Sequence, residues 1–114
     1  MRSKGITEKQ FQSQVVRIAK VFGWMAYHTY DSRRSEPGFP DLVLVRERVM
    51  FRELKTEKGR LTPAQKLWGE RLKSAGSDYD IWRPSMKYKI QDDLRCTISS
   101  LLLLIASAHQ NPKL

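Results

Sequence analysis

Asp41, Glu53 and Lys55 are two acids and a cation whose spacing allows them to meet around one divalent ion. In the run Val49 to Lys55, read as a strand, alternation puts Phe51, Glu53 and Lys55 on one face and Met50, Arg52 and Leu54 on the other. Asp41 stands six residues before Glu47 and Glu53 six residues after it, so a hairpin turning at Glu47 sets the two acids opposite each other. Two like charges so placed repel unless a cation lies between them. Mg2+ takes one or two carboxylates and completes its oxygen shell with waters and substrate phosphate. An ion held this way shields phosphate charge and acidifies a water, which is the chemistry of phosphodiester hydrolysis. For either motif alone an exposed Glu–Lys pair or a turn aspartate is the simpler reading; the shared register favours a site.

Two more polar residues fall where such a site can use them. Glu8 lies inside the helical arc of Phe11, Val15 and Ile18 although it is charged, and an acid on a packing face needs a partner. It also sits in a first helical turn, where an acid suits the helix dipole and stays solvated, and both readings stand. Gln65, three and seven residues before Trp68 and Leu72, either reaches a ligand, water or phosphate or caps nearby backbone. Arg33 and Arg34 precede the Asp41 entry, and Lys58 and Arg60 follow Lys55, so both loops can grip phosphates on either side of a scissile bond. Tyr27, His28 and Tyr30 either stack on splayed bases or, the preferred reading, simply pack; a core or phosphate role outranks metal ligation for His28.

The elements that must hold these residues are legible in the spacing. Thr7 with Gln10 resembles a capping box, and Phe11, Val15, Ile18, Ala19 and Phe22 form an apolar helical stripe that ends at Gly23. Trp24 to Tyr30 reads as a strand and Asp31 to Gly38 as a polar loop. Asp41 to Val45 is nearly continuous apolar sequence, as in a strand covered on both faces, and a tight charged turn leads into Val49 to Lys55. Thr62 and Pro63 open a second helix that buries Leu67, Trp68 and Leu72 and stops near Gly76. Tyr79 to Arg83 is a last strand ended by Pro84, with one or two helices beyond. The expected order is α-β-β-β-α-β in a small α/β domain with a mixed sheet.

Composition bounds the partner and the surroundings. The chain has 114 residues, which suits one core, and a net charge of +9 from 21 Lys and Arg against 12 Asp and Glu, which points to nucleic acid. Cys96 is the single cysteine, so no internal disulfide or paired-cysteine zinc site forms and a reducing cytoplasm fits. The most apolar stretch, Ile98 to Ala106, is broken by Ser99 and Ser100 and is far short of the ~20 residues of a membrane span. Leu101 to Ile105 is apolar all round; as a helix it packs on its own domain or at a dimer interface.

Glu8, then Gly38-Phe39-Pro40-Asp41, then Glu53-Leu54-Lys55, then Gln65 together resemble the VRR-NUC branch of the PD-(D/E)XK nucleases, from about Thr7 to Pro84. The match includes the L-T-x-x-Q helix start and the W-R-P exit strand. The resemblance implies a restriction-endonuclease-like core over 1–94, with 95–114 as a separate tail, and Mg2+- or Mn2+-dependent DNA cleavage without an organic cofactor. By family role, Asp41 and Glu53 would ligate the metal with the Leu54 carbonyl, Lys55 would position or activate water, Glu8 would support the metal and Gln65 would be the accessory glutamine. Compact members look like phage or bacterial proteins, and some act on branched DNA, such as Holliday junctions, as homodimers. A non-catalytic nucleic-acid-binding module of the same fold has no need of paired acids, and a sequence-specific restriction-type enzyme would need a recognition domain that so short a chain does not show.

Overall fold

A computed structural model of the chain describes residues 5–29 and 36–95. Helix α1 (Glu8–Val21) leads into strands β1 (Met25–His28), β2 (Leu42–Val45) and β3 (Val49–Leu54). Helix α2 (Pro63–Ser74) then crosses over to β4 (Asp78–Trp82), followed by a single 3-10 turn (Pro84–Met86) and helix α3 (Lys87–Leu94). The strands lie in the order β1-β2-β3-β4, with β1–β2 and β2–β3 antiparallel and β3–β4 parallel. The expected mixed sheet is therefore present, and its one parallel pair is the one joined through a helix, as a parallel connection requires. Among the described residues no helix is long and apolar enough to cross a membrane.

Both long helices start where their side chains close a capping box. The Thr7 hydroxyl accepts from Gln10 N and the Gln10 side chain accepts from Thr7 N; Thr62 and Gln65 repeat the pair at α2, with Pro63 at the first helical position. The α1 stripe buries Phe11, Val15 and Ala19 against Leu42, Leu44, Met50 and Leu54, with Trp24, Trp82, Ile90 and Leu94 closing the core. Truncating one such leucine to alanine costs about 2–5 kcal/mol. Trp24 sits just outside β1, and its indole N–H donates to Leu94 O at 2.9 Å, tying the start of the sheet to the end of α3.

Helix α2 covers the opposite face, over β3 and β4. At Gly69 the helix backbone lies so close to the Tyr79 ring that a Cβ would stand 2.7 Å from it. Phe39 bridges the helix to the sheet, edge-on to Trp68 at 5.1 Å and to Phe51 at 6.2 Å. This placement corrects three expectations. Leu67 is 51% exposed rather than buried, because α2 presents Gly69 to the sheet and Leu67 lies nearly opposite on the helix; Trp68 and Leu72 are half-buried. Strand β2 is covered on one face only: Leu42 and Leu44 are buried while Val45 is exposed, since α2 does not reach over β1 and β2. Tyr27 does not pack; it is 64% exposed on that uncovered face, where Met25, Val45 and Val49 also line up in register across three strands. Tyr30, Arg33, Arg34 and residues 96–114, with the tail expected to pack or dimerise, lie outside the described residues.

Gly38 has a φ of 89°, and a Cβ there would stand 2.4 Å from the Ala64 carbonyl carbon, so the entry loop is pressed against the start of α2. Gly76 has a similar φ of 83° but open space around it. Both substitutions to alanine incur the left-handed penalty of about 1–2 kcal/mol. Chemical denaturation should show Gly38→Ala less stable than Gly76→Ala by more than ~1 kcal/mol, because only the former adds a backbone collision.

Candidate active site

The acids meet at the end of the sheet where β2 begins and β3 finishes. Leu42 pairs with Arg52, and the same register carried one residue on sets Asp41 opposite Glu53, as the hairpin arithmetic requires. Asp41 Oδ2 accepts the backbone N–H of Leu54 at 2.9 Å, which holds its carboxylate across the strand boundary. Glu53 is 1% exposed, and its carboxyl hydrogen-bonds that of Asp41. Burial first, and then the hydrogen bond and charge of Asp41, push the Glu53 carboxyl up from 4.5 to about 9; the Lys55 ammonium opposes the rise and Glu8 adds to it. Glu53 therefore holds its proton at neutral pH when no cation lies beside it.

Lys55 is 8% exposed and follows Glu53 on the same face of the strand; its N–H donates to Trp82 O at 3.1 Å and extends the β3–β4 ladder by one residue. Gln65 takes the capping role expected of it and also reaches an acid of the site. Its Oε1 caps α2 by accepting Thr62 N at 2.9 Å, and its Nε2 makes a long contact of 3.4 Å to Glu53 Oε1. Glu8, the first residue of α1, is exposed as a whole, yet partial burial of its carboxyl, and next the Asp41 charge, raise its pKa against the pull of Lys55. Among the described residues no three His, Cys, Asp or Glu side chains gather as a ready metal cluster. Glu8 acts on the pair through its charge, and Asp41 and Glu53 are the acids brought together among the described residues.

The residues expected to touch nucleic acid divide by position. Tyr27 is exposed on the face that carries Glu53, paired with Val43. His28 points the other way and is tied to α1, with Gln12 Nε2 and His28 Nδ1 3.1 Å apart. Lys58 and Arg60 are exposed in the loop after Lys55.

Arg83 was missed as a site-building residue. Its Nη1 donates to Thr56 O at 2.6 Å, Gly59 O at 2.8 Å and Glu57 O at 3.3 Å, stapling the loop that follows Lys55. The Glu57 carboxylate in turn accepts from Ser85 N and, at 2.9 Å, from Ser85 Oγ. Gly59 completes the fit, since a Cβ there would stand 3.3 Å from Lys55 Cδ. The W-R-P exit strand was the sequence signal, but it does not say that the arginine turns back on the loop.

Two measurements probe this arrangement. The folded state holds a Glu53 proton that the unfolded chain releases near 4.5, so the associated stability is full below that pH and is lost as pH rises toward about 9. Metal-free protein should show a falling melting temperature across that window, and Glu53→Gln should flatten the fall. Arg83→Ala should leave melting cooperative but increase amide hydrogen exchange across Thr56–Gly59, a change absent if the staple carries no strain of the loop.

The VRR-NUC domain model matches residues 4–85 of this chain. The Fanconi-associated nuclease 1 homolog of Schizosaccharomyces pombe (strain 972 / ATCC 24843) is 38% identical over 64 residues, which are 54% of this chain but only 9% of that relative. A solved structure described as a VRR_NUC domain protein aligns with a TM-score of 0.60 at 24% identity, covering 70% of this chain and 79% of that one, and shows the same fold. The span matched by the family model holds Asp41, Glu53, Lys55, Gln65 and Arg83. The chain belongs to the VRR-NUC domain family.

Proposed function

We propose that this chain is a metal-dependent DNA endonuclease that prefers branched DNA, such as a Holliday junction, and works as a homodimer in a reducing cytoplasm. The observation that carries the reading is the pairing of Asp41 with the buried Glu53 across the β2–β3 register, two carboxylates set side by side at the end of the sheet. That donor set fits Mg2+ or Mn2+, because a divalent cation relieves the same repulsion that the proton relieves. Asp41 and Glu53 would hold the ion, with the Leu54 carbonyl as a further oxygen and Glu8 adding negative charge or a water-mediated contact. When bound, the ion supplies phosphate charge shielding and an acidified water.

The chain's own residues do the rest. The Leu54 N–H keeps Asp41 from turning away, and Gln65 Nε2 steadies one Glu53 oxygen. Lys55, buried to 8% exposure and backed by Gly59, has little freedom to leave the acid pair and can orient the attacking water and the scissile phosphate. Lys58 and Arg60 would grip flanking phosphates, with His28 as a further phosphate contact, and exposed Tyr27 would stack on a splayed base. Arg33 and Arg34 keep their proposed phosphate role from the sequence. Two copies would match the two-fold symmetry of a four-way junction.

The test incubates the protein with four-way junctions, flaps, duplex and single strands, with and without Mg2+ or Mn2+. Cutting should require metal and be faster on branched DNA. Asp41→Ala and Lys55→Ala should each slow it by at least ~100-fold, about 2.7 kcal/mol of barrier, with DNA binding retained. Undiminished cleavage by Asp41→Ala would sink the assignment.

A further inference from the structure

Beside the acid site, α1 and the edge strand β1 enclose an open groove of about 750 Å3. Its walls carry Lys9, Gln12, Ser13, Arg17 and Lys20 from α1 and His28 and Thr29 from the end of β1, with no acid among the described residues that line it. At about 100° per residue the α1 members share one arc, opposite the Phe11, Val15 and Ala19 stripe that packs on the sheet. The same helix therefore divides into a core face and a basic face.

One end of the groove lies at the end of the sheet that carries the acids. Lys9 lies in the first turn of α1, next to Glu8, and His28 pairs with Leu42, the neighbour of Asp41. From there the cations run away along the helix. At ~1.5 Å per residue, Lys9 to Lys20 spans roughly 16 Å. Duplex DNA rises ~3.4 Å along its axis per nucleotide of one strand, and phosphates lie farther apart along the winding backbone, so a groove of this length follows a few successive phosphates. Hydroxyl and amide groups between the cations, Ser13 and Gln12, suit phosphate oxygens.

We infer that this α1–β1 groove binds the DNA backbone of one arm leading away from the cut, with Arg17 and Lys20 as its distal phosphate contacts. This rests on the nuclease reading for its substrate, but binding and cutting can be read separately. Neither Arg17 nor Lys20 belongs to the acid site, and both are exposed on α1.

The experiment measures anisotropy of a labelled junction across a salt series and, in parallel, metal-dependent cleavage. Arg17→Glu/Lys20→Glu should weaken binding at least tenfold and reduce the steepness of the log–log salt dependence by about two, one for each lost phosphate contact. The uncharged pair Arg17→Gln/Lys20→Gln, which keeps a good helix former at each position, should do the same in smaller measure. Lys73→Glu/Lys87→Glu makes an equal charge change off the groove and should leave the salt slope near wild type. If both reversal pairs weaken binding equally, or the glutamine pair leaves the slope unchanged, the groove assignment is overturned while wild-type cleavage keeps the nuclease reading intact. If wild type binds but does not cut, and only the groove pairs lose binding, the groove stands and the nuclease reading falls. A wild-type protein that does not bind DNA overturns both.

Discussion

The bond from the Leu54 N–H to the Asp41 carboxylate does two things that would otherwise conflict. It satisfies a strand-end donor, and it places an acid against a second, buried acid. Glu53 cannot retreat to water, because it is 1% exposed and flanked by Asp41, Gln65 and Lys55. Much of the surrounding architecture limits the freedom of this pair. The capped start of α2, the Arg83 staple and the close packing of Gly38 on Ala64 all act on the segments that lead into or out of it. The site is thus a local concentration of unfavourable charge, tolerated because the two-sided packing around it is strong.

That packing is unequal on the two faces of the sheet. The core face, under α1 and α3, is filled by Leu42, Leu44, Met50, Leu54 and the indoles of Trp24 and Trp82. Even its charged member, Arg52, is neutralised there by Asp78 at 2.9 Å and Asp93 at 3.5 Å and lies over the Trp82 ring. The other face is covered by α2 only at β3 and β4, so it passes from a closed aromatic contact at Phe39 to an open apolar row at Met25, Val45 and Val49. Glu53 and Lys55 lie on that second face, where the shelter of α2 begins.

Sequence spacing alone located the Thr7–Gln10 capping box, the Thr62 N-cap with Pro63, the α1 stripe, the hairpin register and the face shared by Glu53 and Lys55. Those features are local: each depends on a repeat of 3.6 or 2 or on a count across one turn. Its errors were all about what lies over a face. Leu67 and Gly69 fit the same helical pattern until the Tyr79 ring shows which of them meets the sheet. The apolar run of β2 looks doubly buried because nothing in it says that α2 stops short. Arg83 and the α1–β1 groove escaped for a related reason, since one acts across 24 to 27 residues of chain and the other needs two elements placed side by side.

Gln65 makes one further point about interchangeability. At the third position of a capped helix, glutamine and glutamate serve alike, since either oxygen accepts the N-cap amide. Gln10 in α1 stands in that general situation. Gln65 does not, because its amide nitrogen also faces a Glu53 oxygen, and glutamate would keep the cap while setting a third acid against the pair. Two residues that helix energetics treats as synonyms therefore carry different meanings at the two helix starts of one small domain.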